Sequence, residues 1–202
     1  LRANPAPDER LYARPPALSA DDTMIVTEAQ ICDLDALEAS LSEGLAALED
    51  PRDIRAFATK TLTETLRAGN AVLRDALARA PRDARSYVRA QTWLTDVVVI
   101  AALQVAQLNL HPNGAPSKGQ RMAVMAVGGY GRAEMAPHSD VDLLFLAPVK
   151  LTGWAESVIE STLYILWDLK LKIGHSSRTI EECLKLGRED YTIRTALLET
   201  RF

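Results

Sequence analysis

An α+β fold, in which an N-terminal α-helical region precedes a small mixed sheet flanked by helices, is predicted by three features of this 202-residue sequence. Apolar residues recur at steps of three and four through the first half. Beyond residue 120 the pattern changes to short apolar runs bounded by glycine. Those runs then alternate with further helical stretches, the order expected of strands covered by helices. With 48% hydrophobic and 25% charged residues, the chain has the composition of an ordinary globular protein and the length to bury a real core.

Residues 1–28 hold four of the ten prolines and read as an extended leader. A first helix is predicted over 29–49, where Ile31, Leu34, Leu37, Leu41, Leu45 and Leu48 share a face. Pro51 ends it, and Asp50-Pro51-Arg52-Asp53 is a start signal for a second helix running to about residue 79. The third, 84–110, is apolar nearly all round and should be the most buried. Its most apolar run, 93–108, is interrupted by Thr95, Asp96, Gln104 and Gln107 and falls short of the ~20 residues of a membrane span, so no membrane partner is expected. His111 reads as a hinge residue within the turn-rich 111–119, which divides the helical region (29–115) from a sheet-containing core (116–202).

In that core, 121–127 and 141–147 read as buried strands, 153–169 as an amphipathic helix and 170–178 as a third strand. Thr179 and Glu182 form a capping-box pattern opening the next helix, and a last helix is expected from about 190 to the end. Trp93, Trp154 and Trp167 sit at helical spacing among aliphatics and read as core. The chain starts at Leu1 and stops inside an apolar-periodic segment, so it reads as a piece of something longer, truncated within its second part.

Charge and cysteines narrow the function. The net charge of −4 comes without any block of lysine and arginine, which argues against a nucleic-acid partner. Cys32 and Cys183 are far apart and lack metal-ligand spacing, as in reduced thiols of a cytoplasmic protein.

The chemistry concentrates in residues 126–146, AVGGYGRAEMAPHSDVDLLFL. Asp140 and Asp142 are two apart at a strand entrance, so their side chains leave one face. Two carboxylates about 6 Å apart repel by roughly 3 kcal/mol at an effective dielectric of 20. A divalent cation reverses that sign, and Mg²⁺ is commonly held by one or two carboxylates together with substrate phosphate oxygens. Two metals ~3.5–4 Å apart can flank an in-line displacement at phosphorus. Gly128, Gly129 and Gly131 end the preceding strand and let main-chain N–H groups approach a ligand. The segment from Tyr130 is expected to begin a short helix facing the same space. Arg132 offers a planar fork suited to phosphate, and Ser139 a hydroxyl beside the first aspartate.

Gly128 to Leu146, GGYGRAEMAPHSDVDLLFL, resembles the signature of the nucleotidyltransferase superfamily. Together with LWDLKLKIGHSSRTIEECLKLGREDYTIRTALLETR (166–201), it is similar to the uridylyltransferase/uridylyl-removing enzymes that modify the nitrogen-signalling protein PII. The likeness is strong over 121–202 and less specific over the helical region. It implies a nucleotidyltransferase-type sheet and transfer of UMP from UTP to a tyrosine of PII, with release of pyrophosphate and a need for Mg²⁺. Asp140 and Asp142 would be the catalytic, metal-holding acids. Gly128, Gly129, Gly131, Arg132 and Ser139 would contact nucleotide phosphates. Members of the wider superfamily commonly add a third carboxylate from a later strand; here Asp168, Glu199 or a residue past 202 are the alternatives. The removing half of those enzymes uses adjacent His and Asp, whereas the three histidines here precede Pro112, Ser139 and Ser176, so no removing activity is expected.

Around the motif, His138 reads as a loop-fixing residue, and Tyr130 as either a base neighbour or turn packing. His175 and Arg178, beside Gly174, are expected at the same end of the sheet as the aspartates. Two other functions compete. One is nucleotidyl transfer with another nucleotide or acceptor, such as adenylylation of glutamine synthetase. The other is a non-catalytic module that binds nucleotide or PII and regulates a larger protein.

Overall fold

The computed structural model describes Pro15 and residues 23–113 and 121–202. Most of the expected leader and the expected boundary near 115 lie outside the described residues. The fold is α+β. Four helices come first: α1 (Glu28–Ile31), α2 (Leu34–Ala46), α3 (Pro51–Arg79) and α4 (Ala84–Val105), the last continuing as a π-helical turn over Ala106–Leu110. The expected first helix is broken into α1 and α2 because Cys32 is extended and Asp33 caps α2, its carboxylate accepting from Ala36 N at 3.1 Å. The second and third helices run close to the expected bounds, with Pro51 at the first turn of α3.

The sheet follows as β1 (Ala123–Ala126), a one-turn helix α5 (Gly128–Gly131) and β2 (Val141–Ala147). Then come α6 (Gly153–Asp168), β3 (Ile173–Thr179), α7 (Ile180–Glu189) and α8 (Tyr191–Leu198). The strand order is β1-β2-β3. β1 is antiparallel to β2, with Ala126 opposite Leu143, and β3 is parallel to β2, with Val141 opposite Ile173. The parallel pair is joined through α6, as a parallel connection requires.

Three expectations are corrected by these bounds. The glycines themselves form α5, so the short helix ends rather than begins near Tyr130. β3 starts at Ile173, after a turn in which Lys170 has φ 63°. The last helix stops at Leu198, and Arg201 pairs with Ala126 as an antiparallel bridge on the open edge of β1. The capping box at Thr179 and Glu182 is present as expected.

α4 is the spine of the core. It packs on α3 and α6, and Trp93, Leu94, Val98 and Val105 are fully buried along it. Burial of each large apolar side chain contributes roughly 1.5–3 kcal/mol, which is why the helix can be apolar all round. With its π turn the helix covers the 27 residues Ala84–Leu110, as expected, and is long and apolar enough to cross a membrane, but 61% of its most apolar window is buried inside the protein. That is the pattern of a core helix. Trp93 is core, whereas Trp167 is exposed, with Tyr164 edge-on at 5.7 Å. His111 is more than a hinge: its Nε2 is 2.8 Å from Ser161 Oγ, and its carbonyl accepts from Trp154 Nε1 at 2.8 Å, tying the end of α4 to α6.

Candidate active site

The glycine turn and the aspartate pair meet at one end of the sheet. Val127 N donates to Asp142 O at 3.1 Å, so the main chain leaving β1 is fastened beside the second aspartate. Gly128 follows with φ 60°, a left-handed conformation that glycine adopts without steric penalty. The first helical bond of α5 is Gly131 N to Val127 O, so the N–H groups of Gly128, Gly129 and Tyr130 precede the helical ladder. The Asp142 carboxylate lies between two glycine backbones. Its Oδ2 is 3.5 Å from where a Gly128 β-carbon would be, and its Oδ1 occupies the space a Gly174 β-carbon would need. Only glycine at 174 lets the carboxylate lie over the neighbouring strand.

Asp140 is exposed just ahead of β2, with Lys172 Nζ 4.0 Å from its Oδ1. Asp142 is half-buried, and its carboxyl is pushed above the usual carboxylate range, first by burial and then by the charge of Asp140. The two acids therefore sense each other, as a same-face pair should. Ser139 is half-buried, with its N–H donating to Ala136 O at 3.1 Å. Arg132 is exposed and its fork is engaged: Nε donates to Glu134 at 2.9 Å and Nη1 to Glu199 at 2.7 Å.

The profile of the glutamate-ammonia ligase adenylyltransferase family matches residues 9–166. The chain belongs to this nucleotidyltransferase family. Among its relatives, the bifunctional uridylyltransferase/uridylyl-removing enzyme of Cereibacter sphaeroides is 57% identical over 181 residues, covering 89% of this chain and 20% of the relative. The enzyme of the same name from Ruegeria pomeroyi is 54% identical over 170 residues, covering 84% and 19%. That from Phenylobacterium zucineum is 56% identical over 113 residues, covering 56% and 12%. The chain thus spans about a fifth of the length of the first two relatives.

Other residues of this family member singled out in sequence fall differently. β3 runs parallel to β2, so Gly174 stands opposite Asp142, but Arg178 stands opposite Leu146 at the far end of the sheet. His175, opposite Leu143, is on the other face and meets Trp167 edge-on at 6.1 Å. Neither joins the aspartates. Tyr130 is buried, and its hydroxyl is held well above its ordinary pKa, chiefly by burial and then by Asp96; it packs the turn. Glu199 lies at the glycine turn, bonded to Arg132 and with its main chain against Gly131, whereas Asp168 is exposed at the end of α6. Among the described residues, no group of three His, Cys, Asp or Glu converges on one point.

The sequence reading missed a buried ion pair behind the glycine turn. Arg201 donates from Nη1 and Nη2 to the two oxygens of Asp96, at 2.8 and 2.9 Å. It also donates to Tyr130 O at 3.3 Å, and its guanidinium lies 5.4 Å from the Tyr130 ring centroid. Its main chain exchanges two hydrogen bonds with Ala126, at 2.8 and 2.9 Å. The signal in the sequence is Asp96 itself, the one carboxylate of α4, set within its most apolar run.

Proposed function

We propose that this chain is the catalytic part of a cytoplasmic enzyme that transfers UMP from UTP to a tyrosine of the PII signalling protein, releasing pyrophosphate. The observation that supports this most is the Asp142 carboxylate held between the backbones of Gly128 and Gly174, with Asp140 beside it. The names of the relatives supply the nucleotide class.

The donor set fits Mg²⁺: two oxygen-donor side chains, one of them raised in pKa first by burial and then by the charge of the other, gain from a hard cation that takes its further ligands from water and phosphate. Asp140 and Asp142 would hold the ion, which when bound would offset their repulsion and neutralise phosphate charge. The chain's own groups do the rest. The N–H groups at the start of α5 can donate to phosphate oxygens, and Ser139 stands beside Asp140 as a further donor. Arg132 can reach phosphate by exchanging Glu134 or Glu199 for it, keeping its charge compensated throughout. With the phosphates held, the tyrosine hydroxyl displaces pyrophosphate from the α-phosphorus.

The test is incubation with PII and either Mg-UTP or Mg-ATP, reading modified PII by gel shift and its mass increase. UMP addition supports the proposal; no addition in a chain whose melting is shifted by Mg-UTP favours a regulatory module instead. A second reading rests on the name of the matching family: adenylylation of glutamine synthetase, scored in the same assay with that acceptor and Mg-ATP.

A further inference from the structure

A second concavity, of about 230 Å³, lies behind the aspartate pair, between α3, α4 and the loops 135–139 and 170–172. Val141 lines it, and a residue adjacent to Asp142 on β2 projects to the opposite face, so this space is separate from the one that Asp142 shares with Gly128 and Gly174. α3 brings Asn70 and Arg74 to its wall, one helical turn apart, and α4 brings Gln91. The two loops add Ser139, Lys170 and Lys172.

The lining is cationic in an acidic protein. Among the described residues it includes Arg74, Lys170 and Lys172 and no carboxylate, against a chain total of −4. Among the described residues Arg74 and Lys170 have no ion-pair partner, and Lys172 reaches only Asp140, at 4.0 Å between exposed groups. The buried Tyr87 hydroxyl donates to Gln91 Oε1 at 3.1 Å, which engages the carboxamide oxygen and leaves its NH₂ as the donor. Two lining residues, His138 (φ 64°) and Lys170 (φ 63°), are non-glycines in the left-handed region, a conformation that surrounding structure must enforce.

We propose that this cavity binds a compact carboxylate- or phosphate-bearing anion, and that its occupancy regulates the aspartate pair through the Ser139–Asp140 segment. The volume is below the ~300–1,000 Å³ of pockets that enclose drug-sized ligands, so it suits a small anion rather than a whole nucleotide. An anion held by Arg74 and Lys170 would join the helical layer to the 170–172 loop, and a bond from Ser139 would extend the link to the loop that runs into Asp140. The binding half stands on the cavity alone; the regulatory half rests on the nucleotidyl-transfer reading.

The experiment is calorimetric titration of the protein without Mg²⁺, in separate arms with inorganic phosphate, inorganic pyrophosphate and glutarate. At least one anion should bind saturably. Arg74→Ala and Lys170→Ala should each weaken it about tenfold or more, the loss expected for one charge-assisted bond. Asn70→Leu, which keeps every charge but fills the space, should weaken it too, while Asp142→Asn should bind as before. No binding in any arm at millimolar anion would overturn the site. So would wild-type binding by both cation variants, or a loss confined to Asp142→Asn, which would put the anion at the glycine turn. For regulation, the anion that binds should change Mg-UTP affinity or the transfer rate in the wild type, and not in Arg74→Ala, whose basal rate should be unchanged. Binding without either effect would overturn that half alone.

Discussion

Replacing Arg201 by Met should be among the most damaging single changes in the described part of the chain. Asp96 is 4% exposed, and the hydrogen bonds that compensate its charge come from both nitrogens of the Arg201 fork. Deleting one partner of such a pair leaves an uncompensated buried charge, a loss of about 3–5 kcal/mol. Domains are stable by only ~5–15 kcal/mol in all. With a urea dependence of about 2 kcal/mol per molar, the denaturation midpoint should fall by roughly 2 M. The double variant Asp96→Leu/Arg201→Met removes both charges and should return to within about 1–2 kcal/mol of wild type, since apolar replacement of a buried pair is often neutral. Because Arg201 also holds Tyr130, Mg-UTP affinity should remain reduced in the double variant even as stability recovers. Urea unfolding followed by tryptophan fluorescence, with Trp93 reporting the core, measures the stability terms. A single-variant loss below about 1 kcal/mol would refute the account of the pair as charge compensation, as would a double variant worse than either single.

Asp140→Asn and Asp142→Asn should each abolish UMP transfer in the PII gel-shift assay. Each should leave stability without metal unchanged or raised by less than about 1 kcal/mol, because a repulsion is removed. Gly174→Ala should push the Asp142 carboxylate off the strand, weakening Mg-UTP binding about tenfold at a stability loss of ~1–3 kcal/mol; both are read from thermal melts with and without Mg-UTP. The raised pKa of Asp142 sets a pH dependence. The folded state binds this proton more tightly than the unfolded chain, whose value is about 3.9, so the Asp142 contribution to stability falls as pH rises from there through the folded value and is constant above it. Urea midpoints across that acid range should show a downward component that Asp142→Asn removes.

What was legible in the sequence was whatever local pattern decides. Helix bounds at Pro51 and Asp50, the capping box at Thr179, and the apolar strand over 141–147 depend on residues within one or two turns of one another, and they stand where periodicity put them. The glycine–aspartate approach was legible for a similar reason, since β1, the turn and β2 are consecutive. What escaped depended on distant partners. Asp96 and Arg201 are 105 residues apart, and nothing local to either names the other. The direction of β3 was also hidden, because a strand reads the same in either sense; once it is parallel to β2, Gly174 falls at the aspartates and Arg178 at the opposite end. Cys32 and Asp33 show the remaining kind of failure, in which an unbroken apolar period conceals a cap.

The helical region contributes directly to the candidate site. Arg89, Thr92 and Asp96 follow one another on α4 at steps of three and four, so they form one stripe along the helix. Each grips a different point behind the glycine turn. Arg89 Nη1 reaches Arg132 O at 3.4 Å, Thr92 Oγ1 accepts from Met135 N at 3.2 Å, and Asp96 holds Arg201, which in turn pairs with Ala126 and Tyr130. A turn with three glycines loses more conformational entropy on ordering than one built from other residues, and its own short helix supplies few bonds to offset that. The stripe supplies them from a helix that is itself locked in the core. The approach of Gly128 to Asp142 is therefore set by α4 as much as by the sheet, and changes on the polar stripe of a helix remote in sequence should alter nucleotide affinity without replacing any residue of the proposed nucleotide site.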